Sequence, residues 1–197
     1  MSDRLQADVP NHYQTYRIDN VVTNQLLYIE QCNILHNLLC LRTDIEDTTW
    51  SYRSYNIFSY ASTSVAFYYL WKQTVNCIRE YVGDDRPLWM SGWLNFHKSN
   101  EVLDWHSHLG SVCHGYVSID PKNTKTIFNT GNFKKYEIQN EAGLLYLGPS
   151  GINHKVAVLE DFEGHRITLG FDVTDFSDTL HASTDDNPAE LNWIPVY

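Results

Sequence analysis

The sequence predicts a mainly β protein with N-terminal helices, an α+β chain. Three observations predict it. Helical apolar spacing is confined to the stretch before Pro87, short apolar or alternating runs take over after it, and the breaks between those runs carry Gly, Asn, Asp or Pro.

The first helix is expected over VTNQLLYIEQCNILHNLL (22–39), where Val22, Leu26, Leu27, Ile34, Leu38 and Leu39 fall broadly on one face. The second is expected over SVAFYYLWKQTVNCIREYVGDD (64–85), with Val65, Tyr68, Tyr69, Lys72, Val75, Cys77, Ile78 and Tyr81 in helical spacing and a Gly-Asp stop near Gly83. Between them WSYRSYNIFSYAS is aromatic and polar, which suits an ordered loop packed on the body better than a lid. After Pro87, strands are expected at LWMSGWLNF, EVLDWHSH, VCHGYVSID, KTIF, FKKYEI, GLLYLG, HKVAVLE and HRITLGFDV, separated by turn-forming segments such as PKNT and GPSGIN. Strands at this spacing suggest a double-stranded β-helix, or jelly roll, with the helices buttressing one sheet from outside. The chain (1–197) then reads as one domain: a helical support region (1–87), the jelly-roll core (88–173) and a C-terminal tail (174–197) that is polar until Trp193, Ile194, Val196 and Tyr197.

Length and composition agree with this. A chain of 197 residues, 43% of them hydrophobic, has enough material for one substantial core. The formal charge of −10 argues against a nucleic-acid partner, which requires clustered Lys and Arg. MSDRLQADVPNHYQTYR lacks an apolar signal core and no membrane-length apolar run occurs, so a cytoplasmic protein without a membrane association is expected. Cys32, Cys40, Cys77 and Cys113 are scattered without a C-x-x-C pair, which reads as free thiols.

The chemistry concentrates in the β half. His106 and His108 stand at i and i+2 of an expected strand, so both imidazoles project to one face and one metal ion can reach both. His154, after the GPSGIN turn and opening another strand, is the natural third ligand, and three imidazoles suit iron, copper, nickel or zinc. In HRITLGFDV, alternation puts Arg166 and Thr168 on one face and Ile167, Leu169 and Phe171 on the other. A lone arginine in an apolar strand needs an anion, and a guanidinium beside a hydroxyl suits a carboxylate. Asn95 and Tyr146 are candidate further contacts to such a ligand, while Trp93 and Trp105 read as packing residues. Asp104 shares the parity of His106 and His108 and is the alternative second ligand. His12, His36, His114, His165 and His181 lack motif support and read as surface or satisfied structural histidines.

Taken in order, W-H-x-H, G-Y-V-S-I-D-P, G-L-L-Y-L-G-P-S-x-x-x-H-K-V and H-R-I-T-L-G-F-D-V resemble the iron(II)- and 2-oxoglutarate-dependent dioxygenases, especially a small bacterial and phage-like branch carrying H-x-H. The resemblance covers roughly residues 90–173. It implies iron(II) on His106, His108 and His154, 2-oxoglutarate as cosubstrate with its distal carboxylate on Arg166 and Thr168, and O2 as oxidant. Hydroxylation of a bound substrate with release of succinate and CO2 is the implied outcome. Most of that superfamily carries Asp or Glu where His108 stands. Three neutral imidazoles leave the metal its full double charge, so a dianionic cosubstrate should help retain it. GLLYLGPSGINH also satisfies the second motif of the cupins, whose three-histidine oxygenases do not use 2-oxoglutarate, but no glutamate follows His108 at the cupin interval. A non-enzymatic jelly-roll binding protein with incidental histidines is the third possibility. The substrate, a small molecule or a protein side chain, is not encoded in any motif.

Overall fold

The structure is a computed structural model that describes residues 12–43, 55–129, 135–175 and 193–197. Strand β1 (Gln14–Arg17) leads into helices α1 (Asp19–Thr23) and α2 (Gln25–Thr43), a 3-10 helix at Ile57–Ser62 and α3 (Val65–Val82). Strands follow as β2 (Leu88–His97), β3 (Cys113–Asp120), β4 (Thr124–Asn129), β5 (Lys135–Gln139), β6 (Leu144–Pro149), β7 (His154–Val158), β8 (Arg166–Asp175) and β9 (Ile194–Val196). They form two antiparallel sheets, one in the order β1-β6-β3-β8-β2-β9 and one in the order β5-β4-β7. The expected mainly β body with N-terminal helices is what forms. No described helix is long and apolar enough to cross a membrane.

Strand alternation divides the protein into two apolar layers. Leu88, Met90, Leu94 and Phe96 of β2 join Ile167, Leu169, Phe171 and Val173 of β8 and the buried residues of α2 and α3 in one core outside the large sheet. The opposite faces of the same strands look toward the small sheet, where Tyr116, Phe128, Ile138 and Tyr146 make a second cluster. The cavity described below lies in this inter-sheet space.

Helix α3 starts where Ser64 Oγ accepts a hydrogen bond from the Phe67 amide and stops at Gly83, whose φ of 76° is the left-handed geometry of a helix C-cap. Helix α2 forms as expected but turns a different face inward. Leu26 is 82% exposed, and Leu27, Ile34 and Leu38 are also exposed, while Tyr28, Cys32, Leu35 and Leu39 are buried. Apolar residues occur on both sides of this helix, so periodicity alone could not choose. The choice is made by Tyr28, whose hydroxyl lies within hydrogen-bond distance of Ala66 O (2.8 Å) and Asn20 Oδ1 (2.6 Å).

The aromatic segment before α3 packs against the body where described: Ile57 and Phe58 are buried, and Asn56 both caps the 3-10 turn and donates to Met90 O at 2.7 Å. Residues 50–54 of that segment, most of the tail and His181 lie outside the described residues. The end of the tail is a strand, with β9 pairing along β2 from Leu88↔Val196 to Met90↔Ile194. All four cysteines are free.

One expected strand is absent. EVLDWHSH forms no regular strand, and only His106 makes an isolated bridge, to His154. Elsewhere the sheet packs very closely. A Cβ on Gly115 would lie 2.3 Å from the Tyr146 carbonyl and 2.6 Å from the Phe171 ring. Gly115→Ala is therefore expected to lower unfolding free energy by about 1–3 kcal/mol, measured as a shift in urea midpoint at unchanged slope.

Candidate metal centre

His154 opens β7, and the irregular segment before β3 is tied to it through the backbone. His106 and His154 exchange both main-chain hydrogen bonds, at 3.0 and 2.8 Å. The carbonyl of His108 accepts from the Gly151 amide (2.7 Å) and from Ser150 Oγ (2.8 Å). The His154 backbone and the GPSGIN turn before it thus hold the two ends of the H-x-H pair, doing what a strand was expected to do. One ring nitrogen from each of His106, His108 and His154 lies within 4.8 Å of the others.

Each of the three rings has its Nδ1 against an acceptor. His106 Nδ1 is 2.7 Å from Asp104 O, His154 Nδ1 is 3.0 Å from Ile152 O, and His108 Nδ1 is 3.0 and 3.2 Å from the two carboxylate oxygens of Asp172. A carbonyl can only accept, so the proton sits on Nδ1 and Nε2 carries the lone pair that a metal requires. This donor set fits a first-row divalent metal. Asp104 takes part through its backbone carbonyl, and its carboxylate is not among the clustered atoms.

Asp172 escaped sequence reasoning. It stands on β8 with the parity of Arg166 and Thr168, and that shared face was the only available signal. Its carboxylate behind His108 fixes the orientation of that ring and places negative charge one residue from the metal position. Asp172→Asn is expected to weaken metal affinity about 10- to 100-fold, read by competition with a chromophoric chelator.

Burial disfavours the charged forms of His106 and His154. Desolvation, followed by the neighbouring His106, pulls His154 down to about 3, and desolvation also lowers His106. In the unfolded chain an imidazole takes up its proton near 6.5, so between that pH and about 3 the unfolded state binds more protons than the fold. The metal-free protein should therefore lose stability as pH falls through this window, a trend that urea midpoints across the range would reveal.

On the same inner face, the Arg166 side chain is buried at 3% exposure and makes no ion pair among the described residues; its one hydrogen bond runs from Nη1 to Thr168 Oγ1 at 3.4 Å. Burial lowers its pKa to about 10, so the guanidinium remains charged at neutral pH. Asn95 donates to the same Thr168 hydroxyl at 3.0 Å, and its Oδ1 has no partner among the described residues. Arg166, Thr168, Asn95 and the three histidines line one cavity, together with Trp93, Leu103, Val156 and Tyr116.

Tyr146 does not line it. Its hydroxyl folds over Gly148, where a Cβ would lie 1.7 Å away, and the fully buried ring packs in the inter-sheet cluster. Tyr116 takes the wall position instead and donates to Asn140 Oδ1 at 2.9 Å. Trp93 packs as expected, stacked on His108 at 5.5 Å. His36 and His165 each stack on Phe96, at 4.0 and 4.2 Å, in keeping with structural roles. His114 is buried and lines the cavity, stacked on His108 and His154. Burial, then His108 and His154, push its pKa well below the usual histidine value.

No family model matches the chain, and no curated protein matches it in sequence. Among solved structures it is similar to SnoK, a non-heme alpha-ketoglutarate-dependent carbocyclase from nogalamycin biosynthesis, at a TM-score of 0.62 and 7% identity over 100% of this chain and 97% of that one. The alpha-ketoglutarate-dependent epimerase SnoN of the same biosynthesis aligns at 0.53 and 11% identity, over 91% and 86%. The chain shares their double-stranded β-helix fold. At such identities the likeness speaks for architecture alone. A nickel complex of the non-heme monooxygenase ThoJ overlaps only partly, at 0.41 and 13% identity, the chain spanning about half (49%) of that protein.

Proposed function

We propose that this double-stranded β-helix protein is an iron(II)- and 2-oxoglutarate-dependent oxygenase that hydroxylates a small molecule or a protein side chain. The observation that carries the reading is Arg166: a charged, buried guanidinium without an acidic partner among the described residues, facing the cavity that the three histidines share. Leaving such a charge unpaired is costly, so the site is built for an anion.

His106, His108 and His154 would hold the metal through Nε2. Arg166 and Thr168 would hold the distal carboxylate of the cosubstrate. Thr168 Oγ1 already accepts from Asn95 and Arg166, which leaves its own O–H to donate to that carboxylate. Iron, when bound, couples oxidative decarboxylation of 2-oxoglutarate to oxidation of the substrate. Trp93, Leu103 and Val156 keep the cavity wall apolar, which strengthens the electrostatic contacts and excludes water.

The test is anaerobic addition of iron(II) and 2-oxoglutarate to metal-free protein. A visible metal-to-ligand charge-transfer band in wild type, lost in Arg166→Ala and His154→Ala, supports the proposal. A second reading, a cupin-type three-histidine oxygenase that does not use 2-oxoglutarate, is favoured by the all-imidazole cluster without a carboxylate. It predicts iron binding with no such band. Absence of iron binding leaves a jelly-roll binding protein.

A further inference from the structure

The three imidazoles are not held alike. His106 and His154 rest their Nδ1 atoms on carbonyls two residues away, and their backbones are bridged to each other. His108 stands beyond that bridge, and the groups around its ring come from distant strands. Asp172 of β8 meets its Nδ1, Trp93 of β2 stacks on it at 5.5 Å and 18°, and His114 of β3 stacks on it at 4.9 Å and 16°. Because β8 runs between β2 and β3, the two rings approach His108 from strands on opposite sides of Asp172. The approach of Trp93 depends on Gly170, its cross-strand partner on β8: a Cβ there would lie 2.7 Å from the indole Cε2 and Nε1. Gly170 is not among the glycines of positive φ, so close approach and not backbone conformation calls for glycine here. The absent side chain lets the indole lie against β8 and reach the His108 ring, and both residues line the cavity with it.

We infer that Trp93, seated over Gly170, is a positioning residue for the metal centre: its indole holds the His108 ring in the orientation that turns Nε2 toward the other two imidazoles. This rests on the metal-centre reading and assigns to one aromatic side chain a task that backbone hydrogen bonds perform for His106 and His154. Asp172 fixes one ring atom but leaves the ring free to tilt about that contact, and a flat indole against the ring removes the tilt. A ring already held in its binding orientation loses less freedom when the metal arrives, which strengthens binding without adding a ligand.

The experiment uses cobalt(II), whose visible spectrum reports the geometry of its ligands. Metal-free wild type, Trp93→Leu, Trp93→Phe and Gly170→Ala are titrated with cobalt, and the spectrum of each is recorded at saturation. Trp93→Leu should bind cobalt about threefold to tenfold more weakly, the worth of one offset aromatic pair, with a shifted spectrum at saturation. Trp93→Phe, which keeps a flat ring, should recover most of both effects. Gly170→Ala should reproduce them with Trp93 still present, because the new methyl displaces the indole. If Trp93→Leu does not fold by circular dichroism, Gly170→Ala carries the test. A folded variant with wild-type affinity and spectrum makes Trp93 a packing residue and overturns the inference, whatever its stability. So does weaker binding with an unchanged spectrum at saturation, which would mean that His108 keeps its orientation without the indole. A wild type that takes up no cobalt refutes the metal centre itself, and that failure is distinct because it needs no variant to appear.

Discussion

Arg166→Met should yield a metal-free protein that is harder to unfold than wild type and that binds 2-oxoglutarate at least about 30-fold more weakly in the presence of iron. The two effects share one cause. In the metal-free fold the guanidinium is 3% exposed with no ion pair among the described residues, so folding carries its desolvation without a counter-charge. Methionine fills a similar space without that charge, and replacements of buried charges by apolar side chains stabilise by about 1–4 kcal/mol. For a chain of this length each kcal/mol raises the melting temperature by about 2–4 °C. The cosubstrate supplies the missing charge, and removing one partner of such a pair costs about 2–5 kcal/mol of binding. An arginine that merely held the fold together would behave oppositely: the substitution would lower the melting temperature and leave 2-oxoglutarate affinity alone. Calorimetric unfolding and isothermal titration on the same preparation separate the two.

His154→Ala should reduce iron affinity more than the roughly 10- to 100-fold expected from disturbing a supporting hydrogen bond, because a direct ligand is lost. The backbone bridge between His106 and residue 154 uses main-chain atoms, so it survives the substitution and the remaining pair stays in place. Two imidazoles on an irregular segment then hold the metal alone. The variant should also be less acid-sensitive in its metal-free form. The ring whose pKa burial draws down to about 3 is gone, and with it much of the stability lost as pH falls from 6.5. Metal content after gel filtration tests the first effect, and urea midpoints against pH test the second. A variant that retains stoichiometric iron would show that His154 is not a ligand.

These two residues were legible because their signals are local. Arg166 and Thr168 share a face by strand parity, and β8 keeps that parity in the fold. His154 follows a glycine-containing turn at the start of a strand, a placement its neighbours alone suggest. The H-x-H pair was legible for a different reason than the one that holds it. Its segment is not a regular strand, and convergence comes from hydrogen bonds to the His154 backbone and to the turn before it, none of which spacing reveals. Helix α2 shows the complementary failure. Its length was evident, but with apolar residues on both sides its inner face was decided by Tyr28 reaching Ala66 and Asn20.

By itself the sequence determined the change from helices to strands near Pro87, the three imidazoles and the Arg-x-Thr pair, since periodicity and turn chemistry act over a few residues. The tertiary structure alone decided that Asp172 stands behind His108, that His114 lines the cavity, and that Tyr116 and not Tyr146 reaches its wall. Each of these depends on which strands become neighbours and in what register. Asp172 meets His108 from 64 residues away, and Tyr146 turns inward because Gly148 leaves room for its hydroxyl. Such approaches are set by packing between sheets, where the close fit of whole side chains, and not the order of residues along one strand, selects the partner.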